Sequence, residues 1–231
     1  LPGYPAGSRP WAAAMDKVDR FIAAWRADSI RREPAQYAEL WNLDRNRMVV
    51  GRPRKIKQNR AKARRGIIAY TATFDMVDSN FYGAPDKLAI FTAHPPAGGG
   101  FRAPLRPPFS AAGDYQELAP MSNVGSVATW PVMEYHGPGN YFWFELLQGG
   151  QPLWGLTLDS PLKYDQVLRI DTKPWSRGVT VNGRPAGGLV RGTTLDRCFI
   201  PPGNFQGRFN IQDRTGTGFT DIRWRDGYAS L

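Results

Sequence analysis

The 231-residue sequence has one cysteine, Cys198, two histidines, His94 and His136, and no acidic residue from Arg45 through Phe74. Each scarcity excludes something. A single cysteine has no partner for an intrachain disulfide, so packing alone must hold the fold, and Cys198 reads as a small buried apolar residue. The two histidines lie in different segments with no partner at ligand spacing, which points away from a zinc site. Both read as loop residues, His94 in a Pro/Gly-rich stretch and His136 just before Gly137-Pro138. No apolar run approaches the ~18 residues of a membrane-spanning helix, and Trp11–Met15 is too short for a signal-peptide core. The expectation is a chain that does not insert into a membrane.

What the sequence holds in excess is positive charge, and it holds it in one place. Lys and Arg number 30 against 20 Asp and Glu, a formal net charge of +10. Arg45, Arg47, Arg52, Arg54, Lys55, Lys57, Arg60, Lys62, Arg64 and Arg65 supply ten cations, so the rest of the chain is balanced, twenty against twenty. A hydrophobic fraction of 42% with 13% aromatics is enough for one or two buried cores and far from a disordered composition.

Along the chain, residues 1–14 are Pro/Gly-rich and read as an extended arm. Val18, Phe21, Ile22 and Trp25 then recur at helical spacing, predicting a helix from about Asp16 to Arg32 that Pro34 stops. Pro34 is also a fit start for a short second helix with Tyr37, Leu40 and Trp41 on one face. Strands are expected at Arg47–Val50 and Gly66–Val77, the latter with Ile68, Tyr70, Ala72, Phe74 and Met76 on one face by period-two spacing. Residues 93–123 carry so many prolines and glycines that regular structure has little room. They read as the boundary of a three-part division: 1–92 a helix on a small antiparallel sheet, 93–124 a linker, 125–231 a second domain.

Eight short strands are expected in that second domain, near 127–136, 140–147, 152–158, 166–172, 178–182, 186–190, 205–212 and 218–226. Gln148-Gly149-Gly150, Asn182-Gly183, Pro202-Gly203 and Thr215-Gly216 supply the reversals between them. Regular strand spacing without helices predicts a β-sandwich, so the chain as a whole is mainly β, α+β overall.

Catalytic constellations are weak. Gly216-Thr217-Gly218 is too short for a dinucleotide fingerprint and reads as a turn. Glu134, Glu145 and Asp159 lie on or beside adjacent predicted strands, where paired carboxylates would suit glycoside hydrolysis, but any β-rich chain offers such pairs. No Cys-His signature supports a nucleophile. The reading is a protein without enzymatic activity, cofactor or metal. The basic segment suits a polyanion, since arginine's planar fork matches phosphate. Aromatic side chains, which a single-strand binder places among its cations, are absent between Arg45 and Arg65. Contact with an acidic surface of a neighbouring subunit is the preferred reading of that segment.

Several segments, taken in order, carry a resemblance. Thr129-Trp130-Pro131-Val132 with Gly137-Pro138, Leu168-Arg169-Ile170-Asp171-Thr172, Ile200-Pro201-Pro202-Gly203-Asn204, Thr215-Gly216-Thr217 and Trp224-Arg225 resemble the C-terminal domain of siphophage distal tail proteins. Gly51-Arg52-Pro53-Arg54 and the stretch from Pro95-Pro96 to Ala103-Pro104-Leu105 resemble the form of this family in phages of high-GC Gram-positive hosts, and the bias of 23 Arg to 7 Lys fits a GC-rich genome.

The resemblance implies an N-terminal ring-forming β-domain with a helix and an outward galectin-like β-sandwich. It implies a ring of six copies at the distal end of the tail, joining the tail-tube protein to the tail-tip hub, with the tape measure protein and receptor-binding or other minor tail proteins as further partners. Family members open with a strand and a long excursion before the helix. This chain reaches its helix within a few residues, implying a truncated chain or a reduced ring domain.

Phe21, Trp25, Arg52, Arg54, Lys55, Lys57, Arg64 and Arg65 are the expected interface residues. Two other functions compete: a carbohydrate-binding module, in which Trp154 and Trp175 stack on sugars, and a nucleic-acid-binding protein using residues 45–65.

Overall fold

The computed structural model describes residues 9–59, 67–92, 117–212 and 217–230. The chain divides into two units, one of Leu1–Leu43 with Met48–Ser79 and one of Asp44–Arg47 with Asn80–Leu231. No described helix is long and apolar enough to cross a membrane.

The first unit opens with helix α1, Arg9–Arg26. Trp11, Met15, Val18, Ile22 and Trp25 recur at three- and four-residue steps and form its half-buried stripe, while no residue of the helix from Trp11 on is fully buried. Val18, Ile22 and Trp25 of the expected stripe are there while Phe21 is exposed, and the helix begins well before Asp16 and breaks at Ala27. Ala27 takes a left-handed conformation (φ 43°), and helix α2, Asp28–Arg32, follows it. Residues after Pro34 do not form the expected second helix. Ala38–Asn42 is strand β1, so Leu40 and Trp41 fall on a strand instead of on one helical face.

Strand β2, Arg47–Asn59, runs on through the first half of the basic segment. It lies between β1 and β3, Ala69–Met76, and pairs antiparallel with β3. The β2–β3 register slips by one residue between Pro53 and Ile56. Proline cannot donate to the ladder, and the bulge places Arg54 and Lys55 side by side on the exposed surface where strict alternation would hide one of them. Gly51 is required where the two strands meet, since a Cβ there would sit 2.1 Å from the Asp75 carbonyl oxygen.

The second unit is an antiparallel sandwich. Its strands are β4 (Phe81–Gly83), β5 (Lys87–Thr92), β6 (Leu118–Asn123), β7 (Val132–His136), β8 (Tyr141–Gln148), β9 (Gln151–Leu158), β10 (Val167–Asp171), β11 (Gly178–Val181), β12 (Arg184–Pro185), β13 (Val190–Gly192), β14 (Gly203–Gln212), β15 (Phe219–Trp224) and β16 (Gly227–Tyr228). One sheet has the order β12-β11-β10-β7-β15-β5 and the other β13-β9-β8-β14-β6. β4 and β16 pair with each other.

Alternation builds the core. Met133 and Tyr135 of β7, Phe142, Phe144 and Leu146 of β8, and Thr220, Ile222 and Trp224 of β15 point inward. Phe91, Phe142, Phe144 and Phe209 meet at the centre with ring centroids 5.3–5.8 Å apart. Asn182 (φ 47°) and Gly183 (φ 76°) make the expected two-residue turn between β11 and β12 with both central residues left-handed.

The mainly β architecture is as expected, but the division of the chain differs at two places. β5, expected within the first domain, pairs with β15 and sends Phe91 to the sandwich core. β6, expected in the linker, pairs with β14, with Ala119 and Met121 buried. The Pro/Gly-rich residues between them therefore fall, in sequence, between two strands of one unit. Residues 186–190 form no single strand but a 3-10 turn, Gly187–Leu189, running into β13. Residues 1–8 of the arm, residues 93–116 of the linker and the Thr215-Gly216 turn lie outside the described residues.

Candidate functional site

Residues 48–59 of the basic segment and the helix expected to form an interface come together in the first unit. Because the bulge takes the Arg54 carbonyl out of the regular ladder, that oxygen accepts two side-chain donors instead. The Trp25 indole nitrogen lies 3.2 Å from it and Arg31 Nη2 3.1 Å. Phe21 meets the Tyr70 ring edge at 5.3 Å, and Trp25 meets Phe74 at 6.2 Å. Phe21 is nevertheless 43% exposed.

Arg52 is directed at its own backbone. Its guanidinium donates to the carbonyl oxygens of Ile30 (2.8 Å), Gln36 (3.2 Å) and Glu33, and stands over the Tyr37 ring. It thereby ties β2 to the turn that follows α2. Arg54 Nε pairs with Asp75 at 2.6 Å, both more than half exposed, a surface pair of little energetic weight. Lys55 and Lys57 are exposed on β2. Arg26, Ile30, Arg31, Arg52, Pro53 and Lys55 help line an open groove of about 680 Å³. Arg60, Lys62, Arg64 and Arg65 lie outside the described residues.

Two of the expected interface cations are thus engaged within the fold, Arg52 by three carbonyl oxygens and Arg54 by a carboxylate. The sequence showed the charge but not this engagement, because the carbonyl acceptors belong to a turn twenty residues away that carries no side-chain signature.

The residues expected to stack on sugars are placed differently. Trp154 is 5% exposed, donates to the Phe199 carbonyl oxygen at 2.7 Å and packs on Phe144. A sugar platform needs an open ring face, and Trp154 has none. Trp175 is half-buried with its ring edge-on to Tyr82 at 5.5 Å.

Nor do the three carboxylates converge. Glu134 points outward from the six-stranded sheet, while Glu145 points outward from the five-stranded sheet and pairs with Arg208 at 2.5 Å. The whole core separates them, and Asp159 follows β9 on the far sheet from Glu134.

Cys198 is fully buried, as expected, with Sγ 3.4 Å from the Thr194 carbonyl oxygen. Burial, seconded by the charge of Asp196, pushes its thiol up to about 12. It is inert as a nucleophile at neutral pH. His136 is not a loop residue. It ends β7 and stacks flat on Phe219, the ring centroids 4.2 Å apart. His94 lies outside the described residues.

No family model and no curated protein matches the sequence. Among solved structures the chain is similar to the Dit (gp 19.1) protein of phage SPP1, described as a paradigm of the hub adsorption apparatus in phages infecting Gram-positive bacteria. The identity is 13% and the TM-score 0.55, over 97% of this chain and 74% of that one. It also resembles a chain of the phage P2 baseplate in its activated conformation with Ca, at 10% identity and a TM-score of 0.47 over 95% of this chain and 76% of that one. Over 97% of its length, this chain has the fold of the SPP1 Dit protein.

Proposed function

We propose that this chain is a structural protein of a long non-contractile phage tail: a distal tail protein that forms a ring joining the tail tube to the tail-tip hub. The observation that carries this reading is the extent of the fold match. A sandwich alone is common to many functions, but the similarity to the SPP1 protein takes in both the helix-bearing unit and the sandwich, 97% of the chain. The sequence motifs, in their order along the sandwich, support it independently.

Six copies close the ring. A closed cyclic assembly repeats one heterologous interface, and each subunit must offer two different surfaces to its neighbours. The first unit supplies the surface. α1 has no fully buried residue from Trp11 on, Phe21 is 43% exposed and Met76 on β3 is 40% exposed, so apolar area remains for a neighbour to cover. Lys55 and Lys57 give that surface its charge, and Arg54 adds an ion pair with Asp75. In this reading Phe21, Trp25, Arg52, Arg54, Lys55 and Lys57 lie at or just behind the inter-subunit contact. Arg64 and Arg65 belong to the same proposal from sequence.

The tail-tube protein, the hub and the tape measure protein are the axial partners. The sandwich is a docking surface for receptor-binding or other minor tail proteins. The chain's place is the distal end of the tail in the virion, and its work is assembly without catalysis.

Antibody labelling of intact particles tests the assignment. Label confined to the end of the tail away from the capsid is the expected result. Label absent from particles, or spread along the tube, overturns it.

A further inference from the structure

Glu134 and His136 are two residues apart on β7 and so project from the same outer face of the six-stranded sheet. On the adjacent β15, Asp221 stands opposite Glu134 and Phe219 opposite His136. Glu134, His136 and Asp221 each present a ligand atom within 4.8 Å of the other two. Two carboxylates directly across a strand pair repel unless a cation separates them.

The neighbouring arginines meet only part of that need. Arg169 on β10 donates to Glu134 Oε1 and to Asp171 Oδ2, and Arg223 donates to Asp221 Oδ2 at 2.9 Å. Asp221 Oδ1 is left over. It is buried, on a residue only 8% exposed, and no hydrogen-bond donor among the described residues reaches it. A buried carboxylate oxygen without a partner is among the costlier features a fold can carry.

We propose that Glu134, His136 and Asp221 bind one divalent transition-metal ion of the zinc class. The donor set is one imidazole and two carboxylates, with no thiolate. Imidazole disfavours the hard cations that take oxygen alone, and the lack of sulfur disfavours the softest ones. His136 is held for this task, its ring lying 10° from parallel with Phe219.

Ligand atoms at ~2.0–2.2 Å from zinc lie roughly 3.3–3.6 Å apart, inside the 4.8 Å that bounds the spacing of these three, so a small side-chain adjustment seats the ion. Glu134 makes the adjustment, its side chain 23% exposed against 11% for Asp221. The ion supplies a partner for Asp221 Oδ1, cancels the repulsion between the acids and clasps β7 to β15 in the middle of the sheet. With three protein ligands, water completes the coordination.

The full-length chain, stripped with a chelator, is titrated with zinc chloride by calorimetry. One equivalent binds; His136→Ala and Asp221→Asn each weaken binding by roughly tenfold or more, while His94→Ala leaves it unchanged. At zinc about a hundredfold above the dissociation constant, the sandwich's thermal midpoint rises by about 5 °C or more. No saturable binding at sub-millimolar zinc overturns the proposal, as does undiminished binding by both folded variants. A second measurement needs no variant: the imidazole resonances of His136 in the native chain shift on adding zinc. Movement of the His94 resonances alone overturns the site.

Discussion

The Trp25 indole donates to the backbone oxygen of Arg54 at 3.2 Å, across a bulge that sets this carbonyl apart from the β2–β3 ladder. One local irregularity thus joins the helix to the basic strand. Its origin is Pro53, which cannot donate to a ladder, at the point where the register slips.

Trp25→Phe keeps a ring against Phe74 and loses the hydrogen bond, at an expected cost of about 1 kcal/mol, whereas Trp25→Ala loses both, at about 2–3 kcal/mol. Amide hydrogen exchange locates the effect. Protection falls in α1 and stays unchanged in the sandwich strands β7, β8 and β14.

Arg52 and Lys57 look alike in sequence and behave differently in the fold. Arg52→Ala takes the guanidinium donor from three carbonyl oxygens, of which that of Glu33 keeps the Gln36 amide, and costs about 1.5–3 kcal/mol in the first unit, while Lys57→Ala changes stability by about 0.5 kcal/mol or less. Denaturant unfolding of the two variants separates a residue that ties the fold together from one that stays available to a partner.

In the sandwich, Asn123 is 1% exposed and fills all its hydrogen-bonding capacity. Nδ2 donates to Val127 and Ile200 carbonyl oxygens, and Oδ1 accepts from the Gly125 and Gly227 amides. Asn123→Ala leaves these backbone groups without that partner and costs about 3 kcal/mol, a fall of about 6–12 °C in thermal midpoint.

Trp154 separates a sugar platform from a core residue. Trp154→Ala opens a cavity beside Phe144 and removes the bond to Phe199, costing about 3–5 kcal/mol of stability. Calorimetric unfolding measures the loss. The wild-type sandwich gives no glycan-array signal that depends on this residue.

Cys198 gives a pH dependence whose sign is fixed. Its folded pKa of about 12 stands above the unfolded value of 9.0, so the folded chain binds more protons between those two pH values. Below pH 9 the stabilisation is complete; as pH rises from 9 toward 12 stability falls at about 1.4 kcal/mol per unit from this group. Chemical denaturation across that range, compared with Cys198→Ala, isolates the contribution. A thiol reagent at pH 8 modifies the native chain far more slowly than the unfolded one.

Periodicity and turn chemistry made most of the sandwich legible. The strand near 140–147, the Asn182-Gly183 turn and, of the expected helical stripe, Val18, Ile22 and Trp25 each act locally and are found in the structure, while Phe21 of that stripe is exposed. What sequence hid was long-range. β5 and β6 lie on either side of a Pro/Gly-rich stretch that reads as a boundary, and only pairing with β15 and β14 reveals them as sandwich strands. Leu40 and Trp41 went to a strand because pairing with β2 outweighed the helix start that Pro34 offered. Glu134 and His136 sit at period two in plain sight, but their third neighbour, Asp221, arrives from a distant strand through sheet register alone.

The central claim is assembly into a ring, and particle mass tests it most directly. Light scattering on the purified full-length chain, alone and with tail-tube protein, predicts a species of about six monomer masses that images as a closed ring. A chain that stays monomeric at every concentration, with and without the tail-tube protein, contradicts the account.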